Sequence, residues 1–179
     1  MLSDAREFLI KDQIFSLNER MEILNPLSQE ILGYFHSKFF SLPKKYWLTT
    51  AENQAIIGIE KHVLTFMTKF DFYEAGPAEN LSMNSYLGTL EKKFSLLPKY
   101  NFLSLDGGIL YEVSGDFCGR NFTVLQNGHV VAEISRKFWT WTDTYGIRID
   151  PTKSDLQAMI LLTIVVVLDY IVDQQRRNH

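Results

Sequence analysis

A weak repeat of hydrophobic positions runs along most of the chain. Each copy has a bulky residue, usually five intervening positions, then an aromatic residue or Met with an apolar residue two positions later. The second halves of the copies begin at Met21, Tyr46, Phe70, Tyr100, Phe122 and Tyr145. A spacing of two is the period of a strand with one buried face, and the gap before it leaves room for a hairpin turn. Six copies therefore predict six hairpins and twelve strands.

Polar connections separate the copies. Two of them, Asp106-Gly107-Gly108 and Asn127-Gly128, are strong hairpin signals because Asn-Gly and Asp-Gly readily adopt positive φ. The others include Asn25-Pro26 and Glu52-Asn53. We expect a mainly β protein in which the strands occupy about 8–150.

The C-terminal segment breaks the pattern. Pro151 closes the last predicted strand, and Ser154 and Gln157 have the spacing of a capping box. No residue from 156 to 168 is charged, and the polar residues Gln157, Thr163 and Asp169 point in three different directions on a helix. A helix over about 154–172 therefore has no polar face and must be buried in protein or in lipid.

Burial inside a closed barrel is the favoured alternative for this helix. The uncharged stretch spans about 20 Å as a helix, short of the roughly 30 Å hydrocarbon core that a lipid tail anchor must cross. A twelve-stranded barrel has an interior too wide for strand side chains alone, so a helix can fill it. The β-branched run 164–167 leaves a buried thirteenth strand as a further alternative.

Composition sets the class of protein. The 179 residues are 46% hydrophobic, 22% charged and 13% aromatic, which predicts one globular domain over 1–179. The net charge of −3 argues against a nucleic-acid-binding domain. A single cysteine, Cys118, excludes an internal disulfide and fits a reducing compartment. No targeting segment opens the chain, so we expect a cytoplasmic protein, with any membrane contact being peripheral.

Several motifs resemble the LURP-one-related family. They are the segments 38–46 and 92–100 (both of the Phe-Ser-Leu…Lys-Tyr type), Gly115-Asp116-Phe117, the segment 131–137, and Trp141-x-Asp143-Thr144-Tyr145. The resemblance extends from Ile10 to about Asp173 and implies the tubby C-terminal-like fold, a closed twelve-stranded antiparallel barrel around a central hydrophobic helix. That superfamily includes phosphoinositide-binding tubby proteins and phospholipid scramblases. The bacterial members most like this chain have no established activity, so the resemblance implies an architecture only.

Residues suited to catalysis or metal binding are sparse. Cys118 is best read as a small buried hydrophobe, and His36, His62 and His129 fall in strands of different repeats without acidic or cysteine partners at ligand spacing. We therefore predict no catalytic residue, no cofactor and no metal site. Asp169 is expected at the mouth of the barrel, solvated or paired with Arg176 or Arg177.

The turns within the repeats form the candidate site. If the strands run up and down in order, these turns share one end of the barrel and combine apolar with basic residues, a composition suited to anionic lipid head groups. The candidate residues are Leu42, Lys44, Lys45, Phe66, Met67, Lys69, Leu96, Leu97, Lys99, Arg136, Lys137 and Trp141. A protein partner is the other candidate ligand. Two alternatives stay open: the apolar tips plug the barrel, or the protein is a scramblase-like membrane protein with its helix in the bilayer.

Overall fold

The described residues form twelve strands and one helix. The computed structural model describes residues 1–13, 20–37, 44–62, 69–75, 83–93, 99–116, 121–135 and 144–177. The strands are β1 (Glu7–Gln13), β2 (Arg20–Leu24), β3 (Ile31–Ser37), β4 (Lys44–Thr50), β5 (Ala55–His62), β6 (Lys69–Ala75), β7 (Met83–Lys93), β8 (Lys99–Leu103), β9 (Ile109–Asp116), β10 (Asn121–Gln126), β11 (His129–Ser135) and β12 (Thr144–Ile149). The helix α1 covers Asp155–Arg177.

The strands follow one another around a closed antiparallel barrel. Each strand pairs with its neighbours in sequence, and β1 closes the ring by pairing with β12, with Phe8 opposite Ile147. The predicted fold class, twelve strands in six hairpins, is confirmed. Because neighbouring strands alternate in direction, every odd-numbered strand finishes, and every even-numbered strand begins, at the same end of the barrel.

The repeat positions turn out to be two layers of the interior. The six residues that begin the second halves of the repeats are at most 6% exposed. The residues two positions later (Ile23, Leu48, Phe72, Phe102, Val124 and Ile147) are at most 2% exposed. Both sets belong to a single hydrophobic core. The weak sequence repeat is therefore the pattern of inward-facing side chains on the even-numbered strands.

The helix starts where the sequence places its cap. The backbone N–H of Ser154 donates to Gln157 Oε1 at 3.1 Å, and the N–H of Gln157 donates to Ser154 Oγ at 3.3 Å, so the capping box is confirmed. Arg6, just before β1, donates to the carbonyl of Lys153 at 2.9 Å and to Asp155 Oδ1 at 2.8 Å. The start of the helix is thus tied to the start of the barrel.

The helix fills the barrel. Residues 158–171 are all buried, and those that are apolar join the core formed by the strands. The hydroxyl of Thr163 donates to the carbonyl of Met159 at 2.6 Å, which satisfies it within the helix. The alternative of a thirteenth strand is wrong, and the helix is enclosed by protein rather than by lipid.

Within the ranges given above, no helix combines the length and the apolar character needed to cross a lipid bilayer.

Candidate binding site at one end of the barrel

Four of the basic residues predicted for the site, Lys44, Lys45, Lys69 and Lys99, lie at one end of the barrel, which we call the lysine end. It is defined by Lys44, Lys61, Lys69 and Lys99, which lie where odd-numbered strands finish or even-numbered strands begin. The helix runs towards this end, because Tyr170 near its C-terminal end packs against Tyr46 with ring centroids 5.2 Å apart. The strand ends that flank the predicted turns meet at this end of the barrel.

The other eight predicted site residues all lie outside the described residues. These are Leu42, Phe66, Met67, Leu96, Leu97, Arg136, Lys137 and Trp141, and Cys118 lies outside them too. The predicted apolar part of the site, and the choice between exposed and plugging turns, therefore remain predictions.

Strand alternation divides the lysines into two kinds. Lys45 and Lys69 directly precede the inward-facing Tyr46 and Phe70, so their own side chains face outward. Each forms an ion pair on the outer wall, Lys45 with Glu60 at 3.8 Å and Lys69 with Glu91 at 3.1 Å. Their charges are therefore partly balanced by neighbouring carboxylates.

Lys44 and Lys61 face the interior instead. They lie directly opposite each other on β4 and β5, each two residues from a core residue, Tyr46 and Ile59 respectively. The ammonium of Lys44 donates to the hydroxyl of Tyr170 at 3.5 Å, and that of Lys61 lies 5.9 Å from the ring centroid of Phe70. Within the described part of the chain, neither ammonium has a carboxylate at ion-pair distance.

The charge of Lys44 disfavours the charged form of Lys61. Burial lowers the pKa of Lys61, and the neighbouring positive charge of Lys44 lowers it further. Like charges placed directly opposite on adjacent strands are destabilising. A bound anion would offset both effects, because an opposite charge at short range favours the charged form of an amine.

Aromatic rings form the floor beneath these lysines. Phe35 and Tyr46 stack with their centroids 5.8 Å apart, and Tyr170 meets both rings edge-on. This packing fixes the position of the Tyr170 hydroxyl beside Lys44. The site can therefore offer two ammonium groups and a phenol, all hydrogen-bond donors, above an apolar floor.

Asp169 is more deeply enclosed than the sequence suggests. Its side chain is 1% exposed, so the expectation of a solvated carboxylate is wrong. The helix that carries it passes through the barrel, which shields even the positions near its C-terminal end. The side chains of Arg176 and Arg177, its predicted partners, lie outside the described residues.

The opposite end, which we call the helix-start end, carries the opposite charge. It is defined by the connections 25–30, 51–54, 104–108, 127–128 and 150–154. A hydrogen bond from Ser104 lowers the pKa of Asp106, and one from the Thr152 backbone lowers that of Asp150. A hydrogen bond from Thr50 does the same for Glu52. Local donors therefore hold these carboxylates in their charged form.

Apolar side chains at the helix-start end were missed from the sequence, which suggested polar or acidic loops there. Leu27 is 94% exposed and Leu105 is 71% exposed, each within a turn. Single apolar residues inside polar turns leave no periodic signal, so nothing in the pattern distinguished them.

The three histidines lie in separate strands, as predicted: His36 in β3, His62 in β5 and His129 in β11. Burial, and then the charge of Arg20, lower the pKa of His36. His62 contacts Asp71 on the outer wall. Among the residues that the structure describes, no three His, Cys, Asp or Glu side chains are grouped to hold a metal ion.

Comparisons with known proteins agree with this architecture. The sequence model of the family described as LURP-one-related matches residues 6–169. The chain is similar to a Bacillus subtilis (strain 168) protein named "Uncharacterized protein YxjI", with 21% identity over 92% of this chain and 93% of that protein. It is also similar to an X-ray structure of a protein from Arabidopsis thaliana, with a TM-score of 0.62 and 14% identity. That match covers 92% of this chain and 91% of the plant chain, and it shows a shared fold.

Proposed function

We propose that this chain, which belongs to the LURP-one-related family, is a non-enzymatic binding module that holds anionic phospholipid head groups at its lysine end. The family match covers most of the chain and explains the barrel. Because the named relative carries no assigned activity, the proposal depends on the geometry of the lysine end alone.

One observation carries the proposal. Lys44 and Lys61 lie side by side on the adjacent strands β4 and β5 at the opening of the barrel, and no described carboxylate pairs with either of them. Structural lysines on the same strands behave differently, as Lys45 shows by pairing with Glu60. A pair of opposed cations without a counterion weakens the fold, which makes an anionic ligand the simplest reason for the arrangement.

The distribution of charge along the barrel supports the same assignment. The net charge of −3 gives the whole protein little long-range attraction to an anionic membrane, so the positions of the charges decide which end would approach one. The carboxylates Glu52, Asp106 and Asp150 lie at the helix-start end, away from the lysines. An anionic surface would therefore be approached with the lysine end forward.

We do not extend the proposal to lipid translocation. The scramblase-like alternative requires the helix to enter the bilayer, but residues 158–171 are enclosed by the strands. The proposed contact is peripheral and leaves the helix in place. A cytoplasmic location fits such a contact and belongs to the same proposal.

Vesicle sedimentation tests the proposal. The full chain should pellet with vesicles that contain phosphatidylserine and stay in the supernatant with vesicles of phosphatidylcholine alone. Each basic residue near an anionic surface contributes about 1 kcal/mol, so replacing both Lys44 and Lys61 by Gln should weaken binding about thirtyfold. No pelleting of folded protein with either vesicle would overturn the proposal.

A matched control separates a defined site from diffuse attraction. The double replacement of Lys45 and Lys69 by Gln removes the same formal charge from the outer wall of the same end. We expect it to weaken binding much less, because these side chains point away from the opening and salt screens charges beyond about 10 Å. Equal losses in the two double variants would show that the inward pair is not the binding site.

A further inference from the structure

A trough crosses the outer wall of the barrel where its first and last strands meet. Two cavities of about 200 and 220 Å³ lie side by side along β1. We call this feature the β1 trough, and Leu9, Leu24 and Gly146 form its floor. Both cavities open at the surface of the barrel, and each has room for one aliphatic or aromatic side chain.

The floor exists because three neighbouring outward positions are apolar or empty. Leu9 lies opposite Gly146 on one side and opposite Leu24 on the other. Leu9 and Leu24 are 5% and 7% exposed although neither belongs to the interior core. Gly146 contributes no side chain at its outward position. An outward row on a barrel wall is ordinarily polar, so this sunken apolar row calls for an explanation.

The turn between β2 and β3 forms a rigid wall of the trough. The Oδ1 atom of Asn25 accepts from the N–H of Leu27 at 2.8 Å and from that of Ser28 at 3.1 Å. The N–H of Gln29 donates to the carbonyl of Asn25 at 2.9 Å, and Gln29 takes a φ of 57°. These bonds hold Pro26 against one cavity and Gln29 with Ile31 against the other.

The trough is rimmed mainly by carboxylates. Arg148 is held between Glu7 at 3.0 Å and Glu133 at 3.3 Å, so its charge is already shared. Glu22 lines the second cavity opposite Lys11, and Glu30 ends the turn that forms the wall. Among the described residues, three carboxylates and two cations line the trough, and Glu30 adjoins it.

We infer that the β1 trough binds a peptide segment of a partner protein, one that presents apolar side chains flanked by lysine or arginine. The apolar floor supplies the anchor positions, and the acidic rim selects the basic flanks. A second copy of this chain is a poorer occupant, because two identical acidic rims repel each other. The site lies on the outer wall, so the inference does not rest on the proposed lipid function.

Fluorescence anisotropy with three labelled peptides tests the inference on the full chain. The probes are Lys-Leu-Lys-Leu-Lys, the acidic Glu-Leu-Glu-Leu-Glu and the polar Lys-Ser-Lys-Ser-Lys. We expect the first to bind at least about tenfold more tightly than either of the others, since it alone matches both floor and rim. Equal binding of the basic and acidic peptides, or no binding of the first, would overturn the inference.

A matched pair of variants locates the binding. Ile31 and Ile109 each begin a strand and are 37% and 52% exposed, but only Ile31 lines the trough. Ile31→Lys should weaken binding of the basic leucine peptide at least about tenfold, and Ile109→Lys should leave it unchanged. Equal losses would place the peptide elsewhere and contradict the inference.

Two further measurements keep the test decisive. Leu27→Ser alters an almost fully exposed side chain beside the trough, so it keeps the fold and should also weaken binding if Ile31→Lys proves unstable. Light scattering over a range of protein concentrations should show a monomer throughout. A dimer that Ile31→Lys abolishes would assign the trough to a second copy and overturn the peptide assignment.

Discussion

The two ends of the barrel treat their charges in opposite ways. At the helix-start end, Asp106 accepts hydrogen bonds from Ser104 and from the backbone N–H of Gly108, and Asp150 accepts from Thr152. At the lysine end, Lys44 and Lys61 lie next to each other on the adjacent strands β4 and β5. The carboxylates that accept hydrogen bonds within their own turns stabilise those turns. Charges left without a counterion among the described residues are available to a ligand and lower the stability of the free protein.

The largest expected effect tests the helix that joins the two ends. Leu162 is fully buried in the middle of α1, and an unpaired charge there costs about 3–5 kcal/mol, a large share of a typical domain stability. We expect Leu162→Asp to unfold the protein, as measured by urea denaturation followed by circular dichroism. Leu156→Asp is the control, since Leu156 is 43% exposed in the first helical turn, where a negative charge is tolerated. Similar midpoints for the two variants would contradict the enclosed helix.

A smaller effect is expected at the helix-start end. Ser154→Ala removes the side-chain acceptor for the Gln157 N–H and should lower the free energy of unfolding by about 1 kcal/mol. Ser3→Ala, which loses only an exposed bond to Asp4, should change it little. Both are measured by thermal denaturation. If Ser154→Ala has no effect, the helix-start end does not depend on its cap, and the contrast between the ends weakens.

The smallest effect has the opposite sign and belongs to the lysine end. Lys61→Gln removes one of two opposed cations and should raise the free energy of unfolding by up to about 0.5 kcal/mol at neutral pH, a value discounted because water reaches the group. The same variant should bind anionic vesicles more weakly. A stabilised variant that binds less would show that this end trades stability for function.

The pH dependence sharpens the same prediction. Because the pKa of Lys61 is lowered in the folded protein, the unfolded chain binds more protons between that pKa and the ordinary value of 10.5. Stability from this group therefore rises with pH across that window. We expect the difference in stability between Lys61→Gln and the parent to shrink as pH approaches 10.5. A difference independent of pH would remove charge as its cause.

The sequence revealed the fold because local signals agreed with the global one. Met21, Tyr46 and the other repeat positions all point inward, and Ser154 and Gln157 form the cap that their spacing indicates. The Asn127-Gly128 turn takes the positive φ values, 52° and 79°, that its composition favours. The resemblance to the LURP-one-related family is confirmed. Each of these features is encoded within a few neighbouring residues.

The sites were less accessible to sequence reasoning because they depend on strand register. Two consecutive lysines begin β4, and only the register decides that Lys44 faces inward while Lys45 faces Glu60. Lys61 belongs to an odd-numbered strand and was missed, since its importance comes from lying opposite Lys44. The β1 trough depends on pairing between Leu9 and Gly146, 137 positions apart, which no local pattern reports.

The closure of β1 on β12, followed by the helix, fixes the order in which this protein can mature. During synthesis every strand leaves the ribosome before the segment that fills the space between them. Until residues 158–171 are made, the inward-facing aromatic rings have no central partner, and the ring cannot close before β12 is complete. Contacts between such distant segments slow folding, so the hydrophobic interior of the growing chain stays exposed to solvent for a long time. Nascent chains of this protein should therefore depend on chaperones until α1 has left the ribosome.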